Sequence, residues 1–407
     1  DKEYERILRE GRAIAEAKLS ALAENLATKG GIFVYNPTPF PLSDYVRCGE
    51  KTYYAEEIPA HGYKVIPDTA ITPDISVSDC VLENDVIRVR FDTKYQIISV
   101  YDKTEDLEVF EDYPRLYDAW EISNYYKQKM WICDDLQSAE PLQNGFRIIR
   151  KYNKSTIRQD ILLRPGSKRI DFVTEIDWHE DHVLLKTVFH LDIRTLRATY
   201  DIQFGNVERP THQNTPWDAA KFEVCGHKWA DLSETGYGVS LLNDCKYGYS
   251  AEENVLTLSL LKCATYPNPD ADRGSHSFTY SLYPHTGDFR EGHTVQESYL
   301  LNMPMESRKV EAANGNLPEE FSFVSCDCEN ICIETIKKAE EDDSIIIRFF
   351  DCYNKKSHPT LDFGFDFKKA YLCNLLEENQ QELAVNGRSL TLPVNNFEIA
   401  TLKLIRA

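Results

Sequence analysis

The sequence predicts a mainly β protein, with antiparallel sheets packed as sandwiches and a single α-helix at the start. Two observations carry this. Many short segments alternate apolar and polar residues with period two, bounded by turn residues, and no βαβ alternation accompanies them. Helical periodicity is confined to residues 4–27, where Ile7, Leu8, Ile14, Ala15, Leu19, Leu22 and Leu26 share one face and Gly30 with Gly31 form the stop. A lone amphipathic helix followed by strands has no helical partner, which predicts the last helix of a bundle lying upstream.

IFVYNPTPFPLSDYV opens the β region, with Pro37, Pro39 and Pro41 holding the chain extended at a sheet edge. KTYYAEEIPAHGYKVIP reads as strand, turn and strand around Pro59–Gly62, and residues 80–102 as a hairpin. Further strands are predicted at 145–163, 168–177, 183–193, 237–243, 254–262 and 276–283. After a polar stretch from Glu306 to Glu320 they recur at 321–326, 331–336, 344–350, 359–366 and 397–405. The domain division expected is a terminal helix at 1–29, a small β domain at 30–75, a large β sandwich at 76–310 and a C-terminal sandwich segment at 311–407.

Length and composition bound the function. A chain of 407 residues with 42% hydrophobic and 12% aromatic content can bury two or three cores. Its net charge of -20 argues against nucleic acid and anionic membrane surfaces, which need a basic face. No apolar run approaches the ~20 residues that span a bilayer, so a soluble protein is expected. The charged start at Asp1 carries no signal-peptide core and suggests a boundary within a longer polypeptide. Eleven cysteines without a CxxC pair point to reduced thiols and a cytoplasmic location.

One stretch concentrates chemistry: Tyr200 to Asp244 holds Arg209, His212, Trp217, Asp218, His227, Trp229, Asp231 and Glu234 between β-patterned segments. A second polar concentration, YPNPDADRGSHSFTYSLYPHTGD, offers Asp270, Asp272, Arg273 and His276 in a loop stiffened by Pro267 and Pro269. The arginine fork suits sugar hydroxyls or carboxylates, against the plainer reading of a surface loop held by its own Asp to Arg pairing. DWHEDHVLLKTVFHLD supplies His179, His182, His190 and Asp192, but WHEDH sits where a solvated hairpin turn is expected, so metal binding is disfavoured. Trp178 reads as core; Trp120 and Trp217, beside Asp118 and Asp218, are equally compatible with stacking on sugar. No GxSxG elbow, phosphate loop or dinucleotide fingerprint is present.

FGNVERPTHQNTPWDAAKFEVCGHKWADLSETGYGVSLLNDCKYGY, followed by LLK, PNPDADRG and HSFTYSLYPH, resembles the C-terminal half of glycoside hydrolase family 38 α-mannosidases, closest to the cytosolic and bacterial branch. NPTPFP, LENDVIRVRFD, DAWEISNYY, KKAEEDDSIIIRFFD and NNFEIATLKL extend the likeness over most of the chain. The resemblance implies a galactose-mutarotase-like supersandwich that closes over an upstream α/β catalytic domain. That domain would supply an Asp nucleophile, an Asp acid/base and a bound zinc or cobalt for retaining hydrolysis of terminal α-D-mannose from oligosaccharides. None of those residues is expected here, and His190-Leu191-Asp192 lacks the family's metal-pair context.

By resemblance the substrate-contacting residues are Arg273, in DADRG, and Tyr53 or Tyr54, before the IPAHG turn. Asp272, His276, Arg209, His212 and Asp218 are further candidates to face the substrate. The expected partners are a mannose-containing oligosaccharide and the upstream domain of the same polypeptide, with homo-oligomerisation left open. A stand-alone carbohydrate-binding module is the alternative, and a sugar epimerase on the same sandwich a third reading.

Overall fold

A computed structural model describes residues 2–72, 74–110, 119–120 and 130–406. Asp118 and most of the DAWEISNYY match lie outside these, and for Trp120 only the backbone is described. The chain forms two compact units, residues 73–302 and a discontinuous one built from 1–72 and 303–407. The segments expected at 1–29 and 311–407 fall in the discontinuous unit, which also takes 30–72 of the segment expected at 30–75 and 303–310 of that expected at 76–310.

In the 73–302 unit, the described strands form antiparallel sheets of nine, six and five strands. The nine-stranded sheet centres on Ile170–Trp178 and Gly274–Thr286, which pair from Ile170 opposite Leu282 to Trp178 opposite Gly274. The six-stranded sheet centres on Leu184–His190 and Val255–Leu261. Alternation explains the burial of these strands: Phe172, Thr174, Ile176 and Trp178 face inward, while Val173, Glu175 and Asp177 face out. One hydrophobic core joins all three sheets, with Val89 and Val100 from the five-stranded sheet, Phe172 and Leu282 from the nine-stranded and Phe189 and Leu258 from the six-stranded. The expected hairpin at 80–102 is a three-strand meander, Val81–Glu83, Ile87–Phe91 and Ile97–Asp102, because Asn84 makes an additional turn by accepting from the backbone N–H of Val86 and Ile87.

The WHEDH segment is not a hairpin turn. Its flanking strands belong to different sheets, so residues 179–183 cross from the nine-stranded to the six-stranded sheet. Residues 262–273 make the return crossing beside it, since Trp178 pairs with Gly274 and Leu185 with Leu261. Apolar alternation cannot tell a hairpin from a sheet-to-sheet crossing, because both strands bury one face either way.

In the other unit, a five-stranded sheet containing Ile331–Lys338, Ile345–Asp351 and Ile399–Arg406 shares a core with a three-stranded sheet. The expected strand at 321–326 divides into Glu320–Ser322 and Val324–Cys326, which belong to separate sheets. The helix Lys2–Glu24 ends before its expected glycine stop, as Asn25 donates Nδ2 to the Ala21 carbonyl and Ala27–Thr28 pair with Ala313–Asn314. Gly31 instead serves the next strand: a Cβ there would lie 2.4 Å from the Ile66 carbonyl oxygen. Of the expected apolar face, Leu19 and Leu26 are buried together with Ala23, whereas Ile7, Leu8 and Ile14 are exposed.

Candidate functional site

The crossing at 262–273 is built around Asp272. This residue takes a left-handed backbone conformation, with φ of 59°, and its Oδ2 accepts from the backbone N–H of Lys262 (3.0 Å) and Cys263 (2.9 Å). Its carbonyl oxygen lies 2.9 Å from His276 Nε2, so the first turn of chain after the loop is tied back onto it. Cys263 anchors the other end under Trp178, whose indole N–H donates to Sγ; burial pushes this thiol up to about 12. The loop therefore presents Arg273 from a backbone fixed on both sides.

Arg273 Nε donates to Asp181 Oδ1 at 3.0 Å, and Nη2 donates to Oδ2 of the same carboxylate. The pair is bidentate and about two-fifths exposed on each side chain. The Arg273 hydrogen bond holds the Asp181 carboxyl below its usual range. Nη1 lies 4.0 Å from Asp270 Oδ1, outside hydrogen-bond distance, which leaves donors of the five-donor fork available to a ligand. The neighbouring crossing is held as firmly: Glu180 accepts from Ser155 Oγ (2.8 Å) and from the Lys154 backbone N–H (3.0 Å). Asp181 was not among the sequence candidates. It lies 92 residues from Arg273, and only the paired crossings bring the two together.

Arg209, His212 and Asp218 divide. Asp218 closes a capping box with Thr215 on the short helix Pro216–Ala219, and His212 Nδ1 stands 3.7 Å from Asp218 Oδ2. That helix displays Trp217 at 81% exposure, so this side chain is not core. Arg209 lies apart on the strand Gly205–Pro210, with its guanidinium 4.7 Å from the Tyr200 ring centroid and Nη1 buried without a hydrogen-bond partner among the described residues. Trp229 is buried and stacks on Phe289 at 4.9 Å.

Two residues of the 200–244 stretch, Asp231 and Ser240, stand within hydrogen-bond distance of a histidine outside it, His285. Ser240 Oγ donates to Asp231 Oδ1 (2.8 Å), and His285 Nε2 lies 2.8 Å from that same oxygen and 3.1 Å from Ser240 Oγ. A nucleophilic relay needs the serine and the carboxylate on opposite ring nitrogens. Here both meet Nε2, all three residues are buried, and Cβ atoms at Gly238 or Gly292 would fall within 2.4 Å of the ring. The network is a structural core of polar groups.

Tyr53 and Tyr54, in the other unit, are adjacent on the strand Lys51–Ile58 and so face opposite ways. Tyr53 is buried; its hydroxyl donates to Asp68 Oδ1 at 2.8 Å, and desolvation with that hydrogen bond pushes it up to about 12. Tyr54 is 44% exposed, its ring 5.0 Å from Tyr45. Of the two, Tyr54 is the side chain whose surface is open to a ligand.

The histidine cluster does not converge. His179 pairs with Asp177 at 3.0 Å and His182 lies 2.7 Å from Thr265 Oγ1, both in the crossing, while His190 is buried near the end of its strand and Asp192 is exposed. Among the described residues no group of three or more His, Cys, Asp or Glu could hold a metal ion, so this part of the chain does not fit one. No helix among them is long and apolar enough to cross a membrane.

Residues 82–270 match the family model for the glycosyl hydrolases family 38 C-terminal domain, and residues 330–402 that for the family 38 C-terminal beta sandwich domain. Alpha-mannosidase 2C1 of Homo sapiens is 30% identical over 441 residues, covering 99% of this chain and 42% of that protein. Alpha-mannosidase G of Dictyostelium discoideum is 34% identical over 369 residues, 83% of this chain and 34% of that protein. The chain thus spans less than half the length of these relatives. An alpha-mannosidase crystal structure from Enterococcus faecalis V583 superposes with a TM-score of 0.78 at 13% identity, over 97% of this chain and 58% of that one, a likeness of fold.

Proposed function

The chain belongs to glycoside hydrolase family 38, of which it carries the C-terminal β region, and from that premise we propose that it serves a retaining α-mannosidase. The whole enzyme removes terminal α-D-mannose residues from oligosaccharides. This region closes over the active site of a catalytic domain encoded upstream. The observation that carries the reading is the match of 99% of the chain to a protein named as an alpha-mannosidase, of which it spans 42%.

In the retaining route an upstream carboxylate attacks the anomeric carbon while a carboxylic acid protonates the departing oxygen; water, deprotonated by that second carboxylate, then opens the glycosyl ester. A zinc or cobalt ion belongs to the upstream residues. The part assigned to this chain is positional. Asp181 fixes the Arg273 fork, whose remaining N–H donors hydrogen-bond mannose hydroxyls. Asp272 and His276 hold the loop that presents Arg273. Eleven cysteines, with no disulfide among the described residues, support a reducing, cytoplasmic setting.

The test is Arg273→Ala in the full-length polypeptide, assayed with an aryl α-mannoside. Loss of hydrogen bonds from a charged group predicts a fall in kcat/KM worth about 1.5–3 kcal/mol. An unchanged kcat/KM would remove Arg273 from the substrate contacts. The 407-residue chain alone is expected to show no turnover with added zinc or cobalt. Robust turnover there would overturn the assignment of catalysis to upstream residues.

A further inference from the structure

A cavity of ≈ 480 Å³ opens beside the 262–273 crossing, lined by Leu184, Phe222, Glu223, Ser259, Lys262 and Asp272 among others. Its size falls in the range of small-ligand sites, and its make-up, apolar walls with a few fixed polar groups, is also theirs. Arg273 is not among the lining residues, so this cavity is separate from the contact proposed above.

Two features make it a built site. Lys186, 3% exposed, donates to Glu223 Oε1, and Ser259 Oγ donates to Oε2 at 3.1 Å, which fixes a carboxylate on the cavity wall. Asp272 spends Oδ2 on two backbone N–H groups, while Oδ1 accepts nothing from the described residues. Lys262, exposed on the cavity wall, makes no ion pair among the described residues. The cavity therefore offers an open acceptor, an open donor and the remaining lone pairs of Glu223.

The charges select the ligand. Glu223 and Asp272 are balanced by Lys186 and Lys262, so neither an anion nor a cation is favoured. Groups that donate and accept at once, namely hydroxyls, satisfy such a wall. The ring of Phe222, 47% exposed, supplies a flat apolar face against which the C–H face of a pyranose packs.

We propose that this cavity is a second sugar-binding subsite, taking one neutral pyranose unit between Phe222 and the Glu223, Lys262 and Asp272 side chains. The choice of a mannoside as probe rests on the function proposed above; the wall chemistry requires only a neutral polyhydroxylated ring. The 407-residue chain, titrated with methyl α-D-mannopyranoside and followed by saturation-transfer NMR, is expected to bind saturably with Kd on the order of millimolar. Phe222→Ala should weaken binding by about tenfold, Phe222→Tyr should keep it, and Trp217→Ala, outside the cavity, should leave it unmoved. Circular dichroism melting checks that each variant is folded. Absence of saturable binding by the parent chain, or binding by folded Phe222→Ala within about twofold of the parent, would overturn the proposal. If Arg273→Ala lowers turnover of the full-length enzyme while Phe222→Ala leaves sugar binding intact, the proposed function stands and this subsite falls. If Phe222→Ala abolishes binding while Arg273→Ala leaves turnover unchanged, the subsite stands and the Arg273 assignment falls.

Discussion

Two arginine–carboxylate pairs in the same unit differ in their surroundings and so in what they can do. Arg169 is fully buried, donating Nε to Asp171 Oδ1 at 2.8 Å and Nη1 to Glu297 Oε2 at 2.9 Å. Ser281 Oγ and Arg164 Nε complete the shell around Asp171. Arg273 grips Asp181 with the same fork, but at the surface of two crossings and with donors left over. The first pair has consumed its hydrogen-bonding capacity in holding strands to the helix Thr294–Asn302; the second keeps some for a ligand. Geometry alone does not separate a structural fork from a recognition fork; unspent donors and solvent access do.

The comparison can be broken most easily at Arg169. Arg169→Ala takes from the buried Asp171 carboxylate one of its two guanidinium partners and leaves Glu297 without this one, and denaturant unfolding should show a loss of about 3–5 kcal/mol. A loss under about 1 kcal/mol would mean that water reaches this pair and that the contrast is false.

A smaller effect appears on acidification. Burial by itself would raise the Asp171 carboxyl, yet the Arg169 and Arg164 guanidiniums and the Ser281 hydroxyl outweigh it and bring it down to about 2. The ionised form is thus favoured by the fold. Its stabilisation is complete above the ordinary carboxylate value of 3.8 and is lost as pH falls from there through about 2, a change worth about 2 kcal/mol. Unfolding free energy measured from pH 5 to pH 2 should carry this component in the parent chain and lack it in Asp171→Asn. A parallel profile in the two proteins would refute it.

The smallest effect should be Arg273→Ala on stability. An ion pair that is 42% exposed on both sides contributes at most about 1 kcal/mol, so the melting profile of the 407-residue chain should barely move while substrate contact is lost. A large destabilisation would place Arg273 with Arg169 among the structural forks and weaken its reading as a sugar contact.

Much of the fold was legible in the residues. The strands expected at 237–243, 254–262 and 331–336 form as Tyr237–Asn243, Val255–Leu261 and Ile331–Lys338, and Trp178, held between apolar runs, lies in the core as expected. Legibility failed where one local pattern serves two tertiary arrangements. The alternation around WHEDH fits a hairpin as well as a crossing between sheets, and the helical face with Ile7, Leu8 and Ile14 does not reveal whether anything covers it. Within the candidate site, the DADRG loop stood out by its composition, but His276 and Asp272 turned out to brace it. Tyr53 and Tyr54 were indistinguishable until the strand's orientation assigned one to Asp68 and the other to the surface.

By itself the sequence determined the kinds of element and the family, because side-chain periodicity and motif order are local properties that survive without knowledge of which strands meet. Only the tertiary structure decided that Asp181 faces Arg273 across 92 residues and that Lys186 pins Glu223 to a cavity wall. It also decided that Ser240, His285 and Asp231 form a knot rather than a nucleophile. These are consequences of long-range strand register. Register is set by the joint burial of many distant side chains, and no local spacing encodes it.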